Sequence, residues 1–287
     1  MKRFLCLVCV LGTALSANAA DITWVSFHDT DAASAAAAGA GLTNAADIGY
    51  TDLLSANGHS VSRFLTHEPL SADDINVLNA SDLVIISRSV NSGHYEPSAD
   101  WNTQVTSPVM VMSGYLMRNS RLNLTDGGTM VDTAGPLTLQ ADDPSHPVFA
   151  GISLSGANMA NPFADVVTEN GALQRGISVN MNSLAGGSLI ASSTESATVG
   201  GPVIAEWATG TAVNNGEVLA GPRMIFMSGS READGVTSET AGFFDLSADG
   251  STMFLNAVDY MTAVPEPNSG VLVLFAAMFL GAMRRRK

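Results

Sequence analysis

The first half of the sequence alternates short apolar runs with helical patterns. Four segments indicate strands because apolar and β-branched residues fill them or alternate along them. These segments are DITWVSF from Asp21, HSVSRFL from His59, DLVIISRSV from Asp82 and PVMVMSG from Pro108. Strands of this kind, separated by helices, are typical of a parallel sheet that is buried on both faces.

The segments between these strands predict helices. Residues 32–57 are rich in alanine and place Ile48, Leu53 and Leu54 at helical spacing before an Asn-Gly pair ends the pattern. Residues 71–79 begin with a serine, a favourable helix cap, followed by acidic residues in the first turn. Both features are expected at the start of a helix.

The second half of the sequence differs in composition and in strand length. After about residue 127, glycine, serine, threonine and asparagine become frequent, and the strand patterns shorten to segments such as SLIASS and PVIAEWA. RMIFMSGS at 223–230 indicates a strand that returns to the core, and 251–261 indicates an amphipathic helix. We therefore predict an α/β domain over residues 21–263. It has a parallel, flavodoxin-like sheet, helices on both faces and an irregular Gly/Ser-rich insertion that contains strands.

A secretory signal peptide is predicted at residues 1–20. Lys2 and Arg3 precede an apolar stretch, and small residues including Ala19 and Ala20 follow it. This order is typical of export through the translocon, with signal peptidase cutting after Ala19 or Ala20. Both cysteines of the sequence lie in this segment. The exported body therefore has no disulfide, no thiolate nucleophile and no cysteine-based zinc site.

The body of the chain is strongly acidic. Residues 21–264 hold 26 aspartates and glutamates against seven arginines and no lysine, a net charge of -19. A surface of this sign repels phosphate backbones, which argues against a nucleic-acid partner. It keeps a secreted protein soluble, and the collection of divalent cations is an open alternative.

The chain ends on three features in sequence. The triplet Pro265, Glu266 and Pro267 comes first, and residues 270–283 follow as 14 residues without a charge. Four basic residues close the chain: Arg284, Arg285, Arg286 and Lys287. A helix of this length spans roughly 21 Å, short of the ~30 Å hydrocarbon core of a bilayer. We predict a transmembrane helix at 270–283 that crosses the inner membrane transiently, with the basic end on the cytoplasmic side.

This order of motif, hydrophobic helix and basic end resembles the PEP-CTERM sorting signal of Gram-negative bacteria, over residues 264–287. The resemblance implies an exosortase that recognises Pro265, Glu266 and Pro267 and removes the tail. It also implies delivery to the cell surface or to an exopolysaccharide matrix, with exopolysaccharide as a candidate partner. An ordinary single-pass anchor that happens to carry Pro-Glu-Pro is the alternative.

The body resembles the class I glutamine amidotransferase-like fold, especially its trehalose-utilisation (ThuA-like) relatives. The segments that carry the resemblance are DITWVSFHDT, LLSANGHSV, DLVIISRSV, HPVFAGI and DGSTMFLNAVDYM. Amidotransferases have a cysteine at the elbow after a core strand, where this chain has Ser113 and Gly114. That departure argues against glutamine hydrolysis.

Candidate site residues follow the predicted strands, because ligands of an open parallel sheet bind beyond the carboxyl ends of its strands. His28 and Asp29 follow the first strand, Arg88 the third and Ser113 the fourth. A serine with a histidine and an aspartate has the composition of an acyl-transfer site. The nucleophile-elbow pattern is absent, however, because neither of its two glycine positions around Ser113 holds glycine.

A metal site is a second alternative at the first strand end. His28, Asp29 and Asp31 offer an imidazole and two carboxylates, which divalent metals bind. Spacing places no further ligand beside them, and capping of the following helix explains the two aspartates equally well. We therefore assign no metal site and no cofactor, with a divalent cation as the open alternative.

These features predict an exported surface or matrix protein whose body is a binding or structural module rather than an enzyme. The main alternative is a carbohydrate-related hydrolase or isomerase of the ThuA-like class that uses His28, Asp29 and Arg88. A pocket that unites His28, Arg88 and Ser113 would favour the enzyme.

Overall fold

A computed structural model describes residues 19–133, 137–154, 159–163, 168–169, 173–174 and 176–263. The predicted signal peptide, except for its last two residues, and the predicted tail with its transmembrane helix at 270–283 lie outside these residues. Within the described ranges, no helix combines the length and the apolar character that crossing a membrane requires.

The described residues contain thirteen strands. They are β1 (Asp21–Ser26), β2 (Ser60–Leu65), β3 (Leu83–Ile86), β4 (Val109–Val111), β5 (Met130–Asp132), β6 (Leu137–Ala141), β7 (Met159–Phe163), β8 (Thr168–Glu169), β9 (Leu173–Gln174), β10 (Ser178–Asn180), β11 (Ser188–Ser193), β12 (Pro202–Trp207) and β13 (Arg223–Phe226). The helices are α1 (Ala35–Gly39), α2 (Ile48–Ala56), α3 (Ala72–Asn79) and α4 (Ala248–Ala263).

A mixed sheet forms the centre of this α/β fold. In the described part of the chain it has nine strands, in the order β2-β1-β3-β4-β13-β12-β11-β6-β7. The strands from β2 to β13 pair in parallel, and those from β13 to β7 pair antiparallel. The prediction of a parallel sheet is therefore confirmed for the five strands from β2 to β13, and the strands of the Gly/Ser-rich region extend this sheet in antiparallel pairs. No α-helix separates β11, β12 and β13, and parallel neighbours usually need a helical crossover.

The Gly/Ser-rich region is part of the main sheet rather than a separate insertion. Strands β6, β7, β11 and β12 extend that sheet on the far side of β13. Only short pairs lie apart from it in the described residues: β5 with β10 and β8 with β9. The prediction that this region contains strands is confirmed, and its treatment as an insertion is corrected.

The helix predicted over 32–57 is two helices, α1 and α2, with a loop between them. The loop begins where Gly41 adopts a φ of 98°, a conformation that strongly favours glycine, and an isolated bridge pairs Ala32 with Asn44. The helix predicted at 71–79 is confirmed as α3. The Ser71 and Asp74 side chains there form a capping box with each other's backbone N–H.

Helices α2 and α4 pack together on one face of the sheet. The Tyr50 ring of α2 lies with its centroid 5.4 Å from that of Phe254 in α4 and 5.9 Å from that of Trp24 in β1. The connections β1-α2-β2 and β2-α3-β3 run in opposite directions across the sheet. Right-handed crossovers of opposite direction place α2 and α3 on opposite faces.

The parallel register brings the carboxyl ends of four strands to one edge of the sheet. Val25 of β1 pairs with Ile86 of β3, Ile86 pairs with Val111 of β4, and Val111 pairs with Ile225 of β13. The loops that leave β1, β3, β4 and β13 consequently meet at this edge, where the strand-end rule places a ligand site.

Candidate functional site

A polar cavity of about 250 Å³ lies at this edge of the sheet. We call it the strand-end pocket and define it by the residues Arg88, Ser92, Ser113, Tyr115, Glu232 and Ser238. Arg88 follows β3, Ser113 and Tyr115 follow β4, and Glu232 follows β13. Two of the predicted strand-end residues, Arg88 and Ser113, thus line the same cavity.

Arg88 is the charged centre of the pocket. Its side chain is only 7% exposed, and its Nη2 donates to Glu232 Oε2 at 2.8 Å. Its Nε is buried and has no hydrogen-bond partner among the described residues. Gly229 approaches closely: with its φ of 83°, an added Cβ would lie 3.0 Å from the Arg88 Cβ, so the backbone there requires glycine.

A second guanidinium reaches the same aromatic ring. Arg118 Cζ lies 5.1 Å from the ring centroid of Tyr115, and Arg88 Cζ lies 5.4 Å from it. Arg118 is held in place because its Nε donates to the Tyr115 carbonyl and its Nη2 donates to Ser92 Oγ. Partial burial, reinforced by the nearby Arg121, lowers the pKa of Arg118. Arg118 therefore adds a positive charge beside the pocket, next to the paired charges of Arg88 and Glu232.

Ser113 lines the pocket without a histidine beside it. The residue is 2% exposed, and no histidine is among the residues that line the cavity. The next residue must be glycine, since a Cβ on Gly114 would lie 2.3 Å from the Ser178 carbonyl oxygen. A serine hydroxyl without an imidazole base is a weak nucleophile at neutral pH.

His28 lies outside the strand-end pocket, contrary to its candidacy as a catalytic residue. It is 1% exposed, its Nδ1 accepts the Ser34 N–H at 3.1 Å, and its Nε2 donates to the Glu239 carbonyl at 3.1 Å. An Nδ1 that accepts leaves the proton on Nε2, so both ring nitrogens are used by the backbone. His28 ties the loop after β1 to the start of α1 and to the turn Ser238–Thr240.

The two aspartates near His28 do not complete a metal site. Asp29 is exposed, and Asp31, whose side chain is 70% exposed, accepts from Arg63 Nε at 2.9 Å. Within the part of the chain that the structure describes, no group of three His, Cys, Asp or Glu side chains is placed to hold a metal ion. His28, Asp29 and Arg88 are therefore not united in one site.

Glu232 and Ser238 are pocket residues that the sequence analysis missed. They lie in the loops after β13, more than 140 residues after Arg88. The sequence could have pointed to them, because residues 223–230 are predicted as a core strand and the strand-end rule applies to that strand as to the others. Their position in the same cavity as Arg88 depends on β13 lying beside β4, which strand periodicity does not reveal.

A second cavity, of about 470 Å³, lies between β12 and the end of α4. Tyr260 donates to Glu206 Oε2 at 2.9 Å, and His146 Nε2 lies 3.7 Å from the same oxygen. The nearby imidazole lowers the pKa of Glu206, whereas burial and this carboxylate raise the pKa of Tyr260 to about 12. His146 accepts the Val148 N–H through Nδ1 at 3.2 Å.

No family model matches the sequence, and no curated protein matches it. Solved structures show partial similarity. A cytoplasmic protein from Salmonella typhimurium has a TM-score of 0.47 and 12% identity, covering 84% of this chain and 98% of its own. A ThuA-like protein from Bacteroides uniformis has a TM-score of 0.47 and 10% identity, covering 86% and 92%. One from Parabacteroides merdae has a TM-score of 0.44 and 10% identity, covering 87% and 92%. Likeness at this level establishes no shared activity.

Proposed function

We propose that the chain is an exported protein of the cell surface or extracellular matrix, and that its body is a binding module rather than an enzyme. Export rests on the basic and apolar pattern of residues 1–20, and sorting rests on the order of features in 264–287. Signal peptidase and an exosortase are the processing partners in this proposal.

The binding role is carried by one observation: the strand-end pocket holds Arg88 and Ser113, but His28 is anchored elsewhere by its two ring nitrogens. A hydrolase that used Ser113 would need a base within hydrogen-bond reach of it. A concave polar site with a buried guanidinium and no histidine among its described lining residues is suited to holding a ligand.

The contacts of Ala20 favour one of the two predicted signal-peptidase sites. Ala20 is 4% exposed, and its carbonyl accepts the Ser60 N–H at 2.9 Å. Cutting after Ala19 keeps this residue and its hydrogen bond, whereas cutting after Ala20 removes both. The proposed exported chain therefore begins at Ala20.

Processing of the tail depends on the triplet and on the basic end. In cells that possess an exosortase, we expect Glu266→Ala, or deletion of residues 284–287, to leave the full-length precursor in the inner membrane. The wild-type chain is expected to lose its tail and to be released. Cell fractionation shows where the chain is located, and intact-mass measurement identifies its two ends.

Asn268→Ala is a matched control for the tail experiment, because it changes a polar residue one position beyond the triplet. It should be processed like the wild type. A wild-type chain that persists at full length with its basic end attached would contradict the sorting proposal. It would favour an ordinary single-pass anchor.

The ThuA-like hydrolase or isomerase is the alternative function, and two variants test it. We expect no turnover of model esters or glycosides above background by the wild type or by Ser113→Ala.

His28→Ala is expected to lower the free energy of unfolding by about 1 to 3 kcal/mol, because it removes the hydrogen-bond partners of buried backbone groups. Substrate turnover and urea unfolding are the two measurements.

The exposed Ser120 provides the control for this test, since Ser120→Ala removes a hydroxyl outside the pocket. Turnover by the wild type and by Ser120→Ala that is lost in Ser113→Ala would establish an enzyme and overturn the binding proposal.

A further inference from the structure

We propose that the strand-end pocket binds a small hydroxylated carboxylate of the uronic-acid type. This inference rests on the proposed binding function. The ligand carboxylate replaces the Glu232 carboxylate on Arg88. Glu232 therefore acts as an internal competitor that occupies the guanidinium while the pocket is empty.

The incomplete pairing of Arg88 points to a carboxylate. In a guanidinium, Nε–H and one N–H of Nη2 lie on the same edge and match the two oxygens of a planar carboxylate. Glu232 takes the Nη2 position at 2.8 Å, while Nε is buried without a hydrogen-bond partner among the described residues. A ligand carboxylate that binds this edge through both oxygens satisfies both donors.

The remaining pocket groups suit the hydroxyls and the ring of a sugar acid. Ser92, Ser113 and Ser238 line the cavity, and each hydroxyl can both donate and accept. Tyr115 also lines the cavity, and Arg118 adds a second positive charge near its ring. The cavity volume of about 250 Å³ lies below the range of drug-sized sites, which fits a single sugar-acid unit.

The negative charge of the domain restricts anion binding to the pocket. A body with a net charge of -19 repels anions in general, so an anion is held only where guanidinium groups face it at close range. A neutral sugar has no carboxylate to complete the pairing of Arg88. The pocket therefore discriminates a uronate from the corresponding neutral sugar.

Glu232 is well placed to be displaced. Its side chain is 30% exposed, whereas that of Arg88 is 7% exposed, so the carboxylate can move into water more easily than the guanidinium. Its negative charge also repels an incoming anion. Neutralising Glu232 removes a competitor and a repulsive charge together, which strengthens binding of the ligand.

Isothermal titration calorimetry on the purified chain tests the inference with D-galacturonate, D-galactose and inorganic phosphate as probes. We expect galacturonate to bind and galactose to bind at least about tenfold more weakly, since galactose lacks the carboxylate that pairs with Arg88. Phosphate can pair with the guanidinium but has no sugar hydroxyls for the pocket serines, so it is also expected to bind at least about tenfold more weakly. Arg88→Lys keeps the charge but loses the two-donor edge, and is expected to weaken galacturonate binding about tenfold. Glu232→Gln is expected to strengthen it several-fold.

Asp234→Asn is the matched control for Glu232→Gln. It removes the same charge from the same loop, but the Asp234 side chain is 96% exposed and pairs with Arg231 rather than with Arg88. Equal strengthening by the two variants would show an effect of net charge only and would overturn the role of Glu232. Thermal unfolding of each variant shows whether it is folded. If Arg88→Lys does not fold, Glu232→Gln still tests the inference.

The failure of this inference is distinguishable from failure of the binding function. Galactose that binds as tightly as galacturonate, with its affinity reduced by Ser113→Ala, would keep the binding module and overturn the carboxylate assignment. Phosphate that competes equally with galacturonate would also overturn it. Absence of binding by all three probes overturns the assignment, whereas catalytic turnover is what overturns the binding module itself.

Discussion

Replacing Arg223 with methionine is expected to lower the free energy of unfolding by about 3 to 5 kcal/mol. The guanidinium is buried, and it donates to four backbone carbonyls. Nη2 reaches those of Trp101 and Val105 at 2.7 Å each, and Nη1 reaches those of Pro222 at 3.0 Å and Ser107 at 3.3 Å. Methionine fills similar space but donates no hydrogen bond, so the carbonyls lose these partners.

Desolvation of the Arg223 charge opposes this loss without cancelling it. Burial lowers the pKa of Arg223 to about 9, which is still above neutral pH, so the side chain is charged at pH 7. A charged donor strengthens each of its hydrogen bonds. The hydrogen bonds also fix the turn Asp100–Gln104 to β13, which makes the side chain a link between two parts of the core.

Urea unfolding at pH 7, followed by circular dichroism, measures the effect of Arg223→Met. Arg121→Met is the matched control, because the Arg121 ion pair is with Glu96, whose side chain is 63% exposed. Partly exposed pairs of this kind contribute about 0 to 1 kcal/mol. Equal losses in the two variants would show that the carbonyl contacts of Arg223 contribute little.

Strand β3 shows how much of the fold could be predicted from the sequence. Its residues Leu83–Ile86 are all apolar and all buried, as a central strand covered on both faces requires. The cap at Ser71 was predictable for a similar reason, since a capping box depends only on residues three positions apart. Local patterns of this kind predict the elements, because their physical causes are local.

Strand direction and buried charge were not predictable, because their causes are not local. The periodicity of β11 and β12 is the same whether their neighbours run parallel or antiparallel. Asp47 is fully buried and accepts from Trp24 Nε1 at 2.8 Å, Ser26 Oγ at 2.7 Å and Arg63 Nη1 at 2.9 Å. Charged residues are exposed by default, and only distant partners make their burial favourable.

The position of the candidate site was predictable, but the set of side chains that line it was not. The strand-end rule placed Arg88 and Ser113 at one edge, and both line the same cavity where β3 and β4 pair in register. The rule does not say which way a side chain points, and His28 turns toward Ser34 and Glu239 instead of the pocket.

Asp245 is a buried carboxyl group whose ionisation makes stability depend on pH. It is 1% exposed; Oδ1 accepts from Tyr50 Oη at 2.5 Å and from the Gly229 N–H at 2.9 Å. Its Oδ2 is buried with no hydrogen-bond partner among the described residues. Burial raises the pKa of Asp245 to about 6, and this outweighs the hydrogen bonds that lower it.

The direction of the pH dependence follows from this raised pKa. In the unfolded chain an aspartate has a pKa of about 3.9, so folding favours the protonated form. The stabilisation is complete below about pH 4 and is lost as the pH rises through about 6, where the folded carboxyl ionises. A difference of about two pKa units corresponds to about 3 kcal/mol of stability lost by pH 7.5.

Asp245→Asn is expected to remove this loss. The asparagine Oδ1 can accept the same hydrogen bonds from Tyr50 and Gly229, and the amide carries no charge at any of these pH values. The free energy of unfolding of the variant, relative to that of the wild type, should therefore rise by about 3 kcal/mol between pH 4 and pH 7.5. Urea unfolding at pH 4, 5, 6 and 7.5 measures this difference.

Comparison at each pH isolates Asp245 from the other carboxyl groups. Glu206, whose pKa is lowered, stabilises the fold at higher pH and loses that contribution as the pH falls, so it acts in the opposite direction. It acts equally in wild type and variant, and so it cancels in the difference.

Asp259→Asn is the control: it removes the same charge from an exposed position of α4 and should give a difference that is nearly constant with pH. A constant difference for Asp245→Asn as well would mean that Asp245 ionises in the folded chain at an ordinary pH, and that water reaches Oδ2.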